Sequence, residues 1–253
     1  MAKPEIVTAC LLVIGNEILS GRTADVNLQF LARALNDLGI RLVEARVIRD
    51  DEETIVRTVN EVRVAFDYVF TTGGIGPTHD DITTAAVAKA FGVELERNPE
   101  AVALLTAYYP PGGLNEARLK MATLPAGASL IHNPVSTAPG FQIGNVLVLA
   151  GIPRVMQAMF DGIKHRLAGG SPVRSRAIAA FVPEGKIAAP LTALQRKHPG
   201  VEIGSYPFVR DGRFGTTLVL RSPDEGAIAS AAEELKLIIR SLGVEPAEEG
   251  TGT

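Results

Sequence analysis

The apolar positions of this chain follow two different patterns, one after the other. Residues 6–14 form a near-continuous apolar run, the mark of a strand covered on both faces. Leu28, Leu31, Leu35 and Leu38 then recur at helical spacing, and Gly39 stands where such a helix stops. Residues 41–48 give a second strand. Asp50 or Asp51 is placed to cap a helix whose buried stripe is Ile55, Val59, Val62 and Phe66. Residues 68–72 give a third strand, a glycine-rich turn follows at 73–77, and a helix over 82–91 ends at Gly92. Pro99 opens a further helix through Tyr108, and another is predicted over 116–123. Residues 141–143 and 146–149, separated by Gly144-Asn145, read as a β-hairpin. Pro153 opens a helix with Val155, Met159, Ile163 and Leu167 on one side. Strand–helix alternation of this kind predicts a mostly parallel sheet with helices on both faces.

After the Ala168-Gly169-Gly170-Ser171-Pro172 linker the pattern changes. Strands at 177–182, 201–206 and 216–221 and helices at 190–197 and 227–242 predict a small α+β domain. The expected organisation is an α/β domain over 1–168, the small domain over 173–243, and a disordered tail over 244–253, where Pro, Glu, Gly and Thr accumulate.

Composition narrows the function classes. With 46% apolar and 21% charged residues the chain buries a real core. A net charge of −3 gives no electrostatic reason to expect nucleic acid or an anionic membrane as partner. The single cysteine, Cys10, excludes an internal disulfide framework and a cysteine-rich zinc site, and His132, His165 and His198 have no metal-ligand spacing. No segment reaches the ~18–20 apolar residues that span a bilayer. Lys3 before the run at 6–14 imitates the start of a signal peptide, but Gly15-Asn16-Glu17 follows it instead of a small-residue cleavage site. The expected location is therefore cytoplasmic.

The chemistry is expected at three turns. TTGGIGPTHDDIT at 71–83 is a strand end, a glycine-rich loop and a helix start, and such a loop offers its amides to a phosphate. It is neither a Walker loop nor a GxGxxG fingerprint. Asp80 and Asp81 have two readings: one of them caps the next helix, or they hold a divalent cation beside phosphate oxygens. GNEILSGRTADVN at 15–27 follows the first strand, with Asp25 as a helix cap or a carboxylate facing Asp80 and Asp81, and Glu17 as a solvated charge or a metal ligand. LAGIPR at 149–154 is the third turn. In an open parallel sheet all three lie beyond the carboxyl ends of strands, where ligands bind. Gly73, Gly74, Gly76 and Gly151 are the candidate phosphate-binding amides, with Asn16, Thr78 and Pro153 in the same turns. Arg118 and Arg154 are candidate phosphate clamps or solvated helix arginines. His79 is a polar loop residue or a phosphate contact, and Tyr206 a packing residue or a base-stacking one.

These motifs, with NEARLKMA at 115–122, Asn133-Pro134 and Ala138-Pro139-Gly140, resemble the molybdopterin-binding domain superfamily. Within it they look most like the amino-terminal part of competence/damage-inducible protein A, and IGSYP at 203–207 resembles the molybdopterin-binding-like region of eukaryotic FAD synthase. The resemblance covers about residues 5–245. It implies a three-layer α/β/α domain and a homo-oligomer, dimer or trimer. Asp25 and Asp81 match the superfamily's two functional aspartates, and Thr83 matches the threonine two places after the second. One branch implies metal-dependent hydrolysis of ADP-ribose, another hydrolysis of FAD with a divalent metal (Mg, Mn or Co) and potassium. The carboxyl-terminal amidase domain of many members is not expected here. Asp80 stands where the molybdenum-cofactor branch has a basic residue, which favours a cation over a bare anionic pterin. The expected function is hydrolysis of a nucleotide diphosphate to AMP, with catalytic Asp81, Asp25 and Asp80 and metal ligands Asp81, Asp80 and Glu17. The alternatives are molybdopterin binding or transfer, and a non-catalytic regulatory module.

Overall fold

The computed structural model describes residues 6–249, which form two compact units that divide after Gly170. The first contains, in chain order, β1 (Val7–Ile14), α1 (Asn16–Leu19), α2 (Asn27–Asp37), β2 (Ile40–Ile48), α3 (Glu52–Ala65), β3 (Tyr68–Thr72), α4 (Thr83–Phe91), β4 (Leu95–Arg97), α5 (Pro99–Tyr108), α6 (Glu116–Leu119), β5 (Thr123–Pro125), β6 (Ser129–Ile131), β7 (Gly140–Ile143), β8 (Val146–Leu149) and α7 (Pro153–Ile163). Its main sheet has the order β2-β1-β3-β8-β7-β6. The first four of these strands run parallel, and β7 runs antiparallel to both its neighbours.

The apolar run of β1 supplies two cores at once, because successive side chains leave a strand on opposite faces. Cys10, Leu12 and Ile14 pack with Ile55 and Val59 of α3 and Val87 of α4. Ala9, Leu11 and Val13 pack with Leu31 and Leu35 of α2 and Met156, Met159 and Phe160 of α7. A bulge interrupts the β1–β2 register: Ala9 faces Leu42 and Cys10 faces Glu44, so Val43 is the extra residue.

That environment sets the chemistry of Cys10. Its side chain is fully buried, and burial, followed by the nearby Glu44 carboxylate, pushes the thiol up to about 11. Thiolate is the reactive form. We therefore expect a disulfide reagent at pH 8 to label native protein at least about a hundredfold more slowly than free cysteine. Labelling should become fast only in denaturant. Native labelling at the free-cysteine rate would contradict this packing.

The second unit contains β9 (Arg174–Ala180), α8 (Glu184–Lys197), β10 (Glu202–Arg210), β11 (Arg213–Ser222), α9 (Glu225–Ser241) and β12 (Ala247–Glu249). Its sheet is antiparallel with the order β10-β11-β9-β12. Ile178, Leu218 and Leu220 share one core with Ile187 and Leu194 of α8 and Leu235 and Ile239 of α9.

Several expectations are corrected. The tail over 244–253 is not disordered throughout: β12 pairs with β9, Ala247 opposite Ala179 and Glu249 opposite Ala177. Ion pairs from Glu248 to Lys236 (2.6 Å) and from Glu249 to Arg210 (2.6 Å) accompany that pairing, and residues 250–253 lie outside the described region. Helix α8 begins six residues before Pro190, which sits inside it. The proline forfeits a backbone donor there, and the apolar stripe of Ile187, Leu191 and Leu194 keeps the helix on the core. The short helix α1 lies in what reads as a polar loop. The helix expected over 116–123 is α-helical only in α6, and a 3-10 turn over Lys120–Ala122 follows it. Strands β4, β5 and β6, which the sequence pattern does not mark, have three residues each, too few to show a period.

Candidate functional site

Strands β1, β3 and β8 end side by side, and the turns that follow them touch through glycine. Gly73 has a positive φ of 104°, open to glycine at little cost. A Cβ on it would stand 2.1 Å from the Ile14 carbonyl oxygen, and one on Gly151 would stand 3.2 Å from the Gly73 Cα. Gly73 N–H donates to the Leu149 carbonyl (3.2 Å). Side chains at these positions would hold the three turns apart.

A cavity of about 500 Å³ opens at this junction. Its wall includes Glu17 and Thr23 from the first turn, Gly73 to Pro77 and Asp81 from the second, and Ala150 to Pro153 from the third. Met121, Asn133, Ser136, Ala138 and Val155 complete it. Glu17 and Asp81 are the only charged side chains on the wall among the described residues.

Asp81 folds back over its own loop. Its Oδ2 accepts the Thr78 N–H (2.9 Å) and the Thr78 hydroxyl. A Cβ on Gly76 would stand 2.6 Å from the same oxygen, so glycine makes room for the carboxylate. Lys120 Nζ donates to the Thr78 carbonyl and braces the loop from outside. Neither aspartate caps α4: Ile82 is its N-cap, without a side-chain bond, and Thr83 N–H reaches the Gly74 carbonyl (3.0 Å). The capping reading of Asp80 and Asp81 is thereby corrected.

The other sequence candidates divide. Gly73, Gly74, Gly76, Gly151 and Pro153 line the cavity, as do Asp81 and Glu17. Asp25 does not: it stands one residue before Val26, the N-cap of α2, and its carboxylate caps the first turn by accepting the Leu28 N–H (2.8 Å). Asp80 is off the wall and exposed. Asn16 uses its N–H on Asp50 (2.8 Å). Arg118 is off the wall. Its guanidinium stacks over Tyr109 at 4.3 Å and donates to the Gly113 carbonyl. Arg154 is exposed and off the wall. Thr83 is fully buried behind Gly74.

Asn133 is the wall residue that residue chemistry alone did not single out. Its Oδ1 accepts the Val135 (2.9 Å) and Ser136 (3.1 Å) N–H groups, and its Nδ2 donates to the Ser136 hydroxyl (2.7 Å) and the Ala138 carbonyl (3.0 Å). These bonds hold Thr137 at φ 69°, costly for a β-branched residue. Asn-Pro before small polar residues was the available signal, and it marks a turn without saying that the turn forms a wall.

Buried polar atoms without a hydrogen-bond partner gather at the same end of the sheet: Asn27 Oδ1, Thr71 Oγ1, Thr72 Oγ1 and Thr83 Oγ1. Buried polar atoms are normally satisfied, and the exceptions concentrate where function keeps them. No group of three His, Cys, Asp or Glu side chains stands ready to hold a metal among the described residues. No helix among them is long and apolar enough to cross a membrane.

Residues 10–169 match the family model described as "Probable molybdopterin binding domain", and residues 172–248 match "FAD synthase, middle domain". A protein of Pyrobaculum calidifontis is 38% identical over 79% of this chain and 80% of its own length. A "Probable FAD synthase" of Caenorhabditis elegans is 33% identical over 94% of this chain, which spans only 50% of that relative. A crystal structure of the protein CinA, of unknown function, from Thermoplasma acidophilum matches with a TM-score of 0.59 and 35% identity, over 63% of this chain and 98% of that one.

Proposed function

The chain belongs to the molybdopterin-binding domain family, and from that premise we propose that it is a metal-dependent hydrolase of a nucleotide diphosphate such as ADP-ribose or FAD. One observation carries the reading. The cavity offers glycine-turn amides and the N-terminus of α7 to an anion, yet among the described residues its only charged side chains are two carboxylates. A diphosphate entering such a wall meets repulsion unless a cation comes with it. Glu17 and the free Oδ1 of Asp81 are hard oxygen donors. One or two carboxylates completed by substrate phosphates is the usual setting for Mg²⁺, so the residues fit the group without a three-ligand cage.

The bound ion would polarise the phosphoryl oxygen and raise the nucleophilicity of water. Glu17 and Asp81 would hold the ion against the loop, and the amides of Gly74 and Gly76 would receive the phosphate oxygens. Water forms a new P–O bond at one phosphorus. The bridging P–O bond breaks with its electron pair on the departing phosphate. The hydroxyl of the water ends on one monophosphate and its proton on the other or in solvent. The products are AMP and a sugar or flavin phosphate. The mostly apolar remainder of the wall, with Ile75, Met121 and Val155, suits a flat heterocycle, and this supports molybdopterin binding as the second reading. A homo-oligomer, dimer or trimer, working in the cytoplasm belongs to the proposal.

The test is chromatographic. Purified protein is incubated with ADP-ribose, FAD and NAD, each with Mg²⁺, Mn²⁺ or Co²⁺ and with or without potassium. AMP release that disappears on chelation is the expected result. No AMP under any condition, together with tight binding of a pterin, would replace this reading by the second.

A further inference from the structure

Asn27 opens α2 and is 4% exposed, unusual for an amide side chain in the first turn of a helix. It does not serve its own helix, which Asp25 caps. Instead its Nδ2 crosses to the third turn and donates to the Gly151 carbonyl at 2.8 Å. Its Oδ1 is buried without a partner, so the side chain is retained at a cost that one hydrogen bond does not cover.

The consequence lies on the other side of the peptide. No peptide bond among the described residues is cis, so the N–H of Ile152 points opposite to the Gly151 carbonyl. The carbonyl is held inward by Asn27, which turns the Ile152 N–H outward. Ile152 is 66% exposed, lines the cavity and precedes Pro153, the first residue of α7, which has no N–H of its own. The Ile152 N–H has no protein acceptor among the described residues.

We propose that Asn27 is a positioning residue that locks the Gly151–Ile152 peptide so that the Ile152 N–H, at the positive end of α7, binds a phosphate oxygen of the ligand. The ligand class is a diphosphate ester, bound through its anionic oxygens at this turn. The inference rests on the reading that the cavity accepts a phosphate, and it does not require that the phosphate be hydrolysed.

The probe is methylenediphosphonate with Mg²⁺, which has the oxygens of a diphosphate and no hydrolysable bridge. In ¹⁵N-labelled wild type, the Ile152 amide resonance is expected to move on titration with the probe. The Asn27→Leu variant, close in volume and without the donor, is expected to bind at least tenfold more weakly and to lose the Ile152 shift. Asn27→Asp, which places a carboxylate against the Gly151 carbonyl, should do the same. No binding by the wild type, or binding that leaves the Ile152 amide unmoved, overturns the proposal without needing either variant. The two readings fail separately. AMP release with an unmoved Ile152 amide removes only the positioning role, and a shifted amide without AMP release removes only the hydrolase.

Discussion

Asp81→Asn is expected to lower metal-dependent AMP release by about three orders of magnitude, equivalent to about 4 kcal/mol of transition-state stabilisation, with the fold intact. Structure and chemistry separate cleanly at this residue. The structural duty of Asp81 is to accept the Thr78 N–H and hydroxyl with Oδ2, and an asparagine carbonyl still accepts the N–H, though without the charge. The loss of one charge-assisted bond in an exposed loop costs about 1 kcal/mol or less. The chemical duty requires a negative oxygen facing the cavity, and asparagine has none. Release rates and denaturant midpoints measured on the same preparations separate the two. Undiminished turnover would remove Asp81 from the site.

Gly73→Ala is expected to cost about 3–4 kcal/mol of stability, among the larger effects of any single methyl. Two penalties add. Alanine resists a φ of 104°, and its Cβ would stand 2.1 Å from the Ile14 carbonyl oxygen. Relief would require parting the ends of β1 and β3, which pair in register at Val13 and Thr72. Gly92→Ala is the control. Gly92 also has a positive φ, 66°, at the C-terminus of α4, but open space surrounds it, so about 1 kcal/mol is expected. Urea midpoints decide the point, and equal costs at the two sites would refute the interlocked turns.

The sheet was legible because burial on two faces leaves a continuous apolar run, and helices alternate with such runs wherever strands are parallel. Leu31 and Leu35, or Ile55 and Val59, announce their helix faces without help. The three-residue strands were not legible, since three residues carry no period, and β12 was hidden by a composition that also describes loose tails. At the site, the glycines and Asp81 were legible from type and spacing. The separation of Asp81 from Asp80 and Asp25 was not. All three are acids near a helix start, and only backbone geometry decides which one turns to the cavity, which one caps a helix and which one meets solvent. The roles of Asn27 and Asn133 are made by contacts to carbonyls and amides, which sequence does not spell.

The backbone-to-backbone contacts at Ile14, Gly73 and Gly151 also divide what can change over evolutionary time from what cannot. The shape of the ligand-facing turns is written in missing side chains, and adding one at Gly73 disturbs its neighbours together. Ile75, Met121, Ser136 and Ile152 carry side chains on the same wall. On the proposed function, descendants of one ancestral site would exchange ligand preference through such side chains while keeping the glycine contacts between the turns.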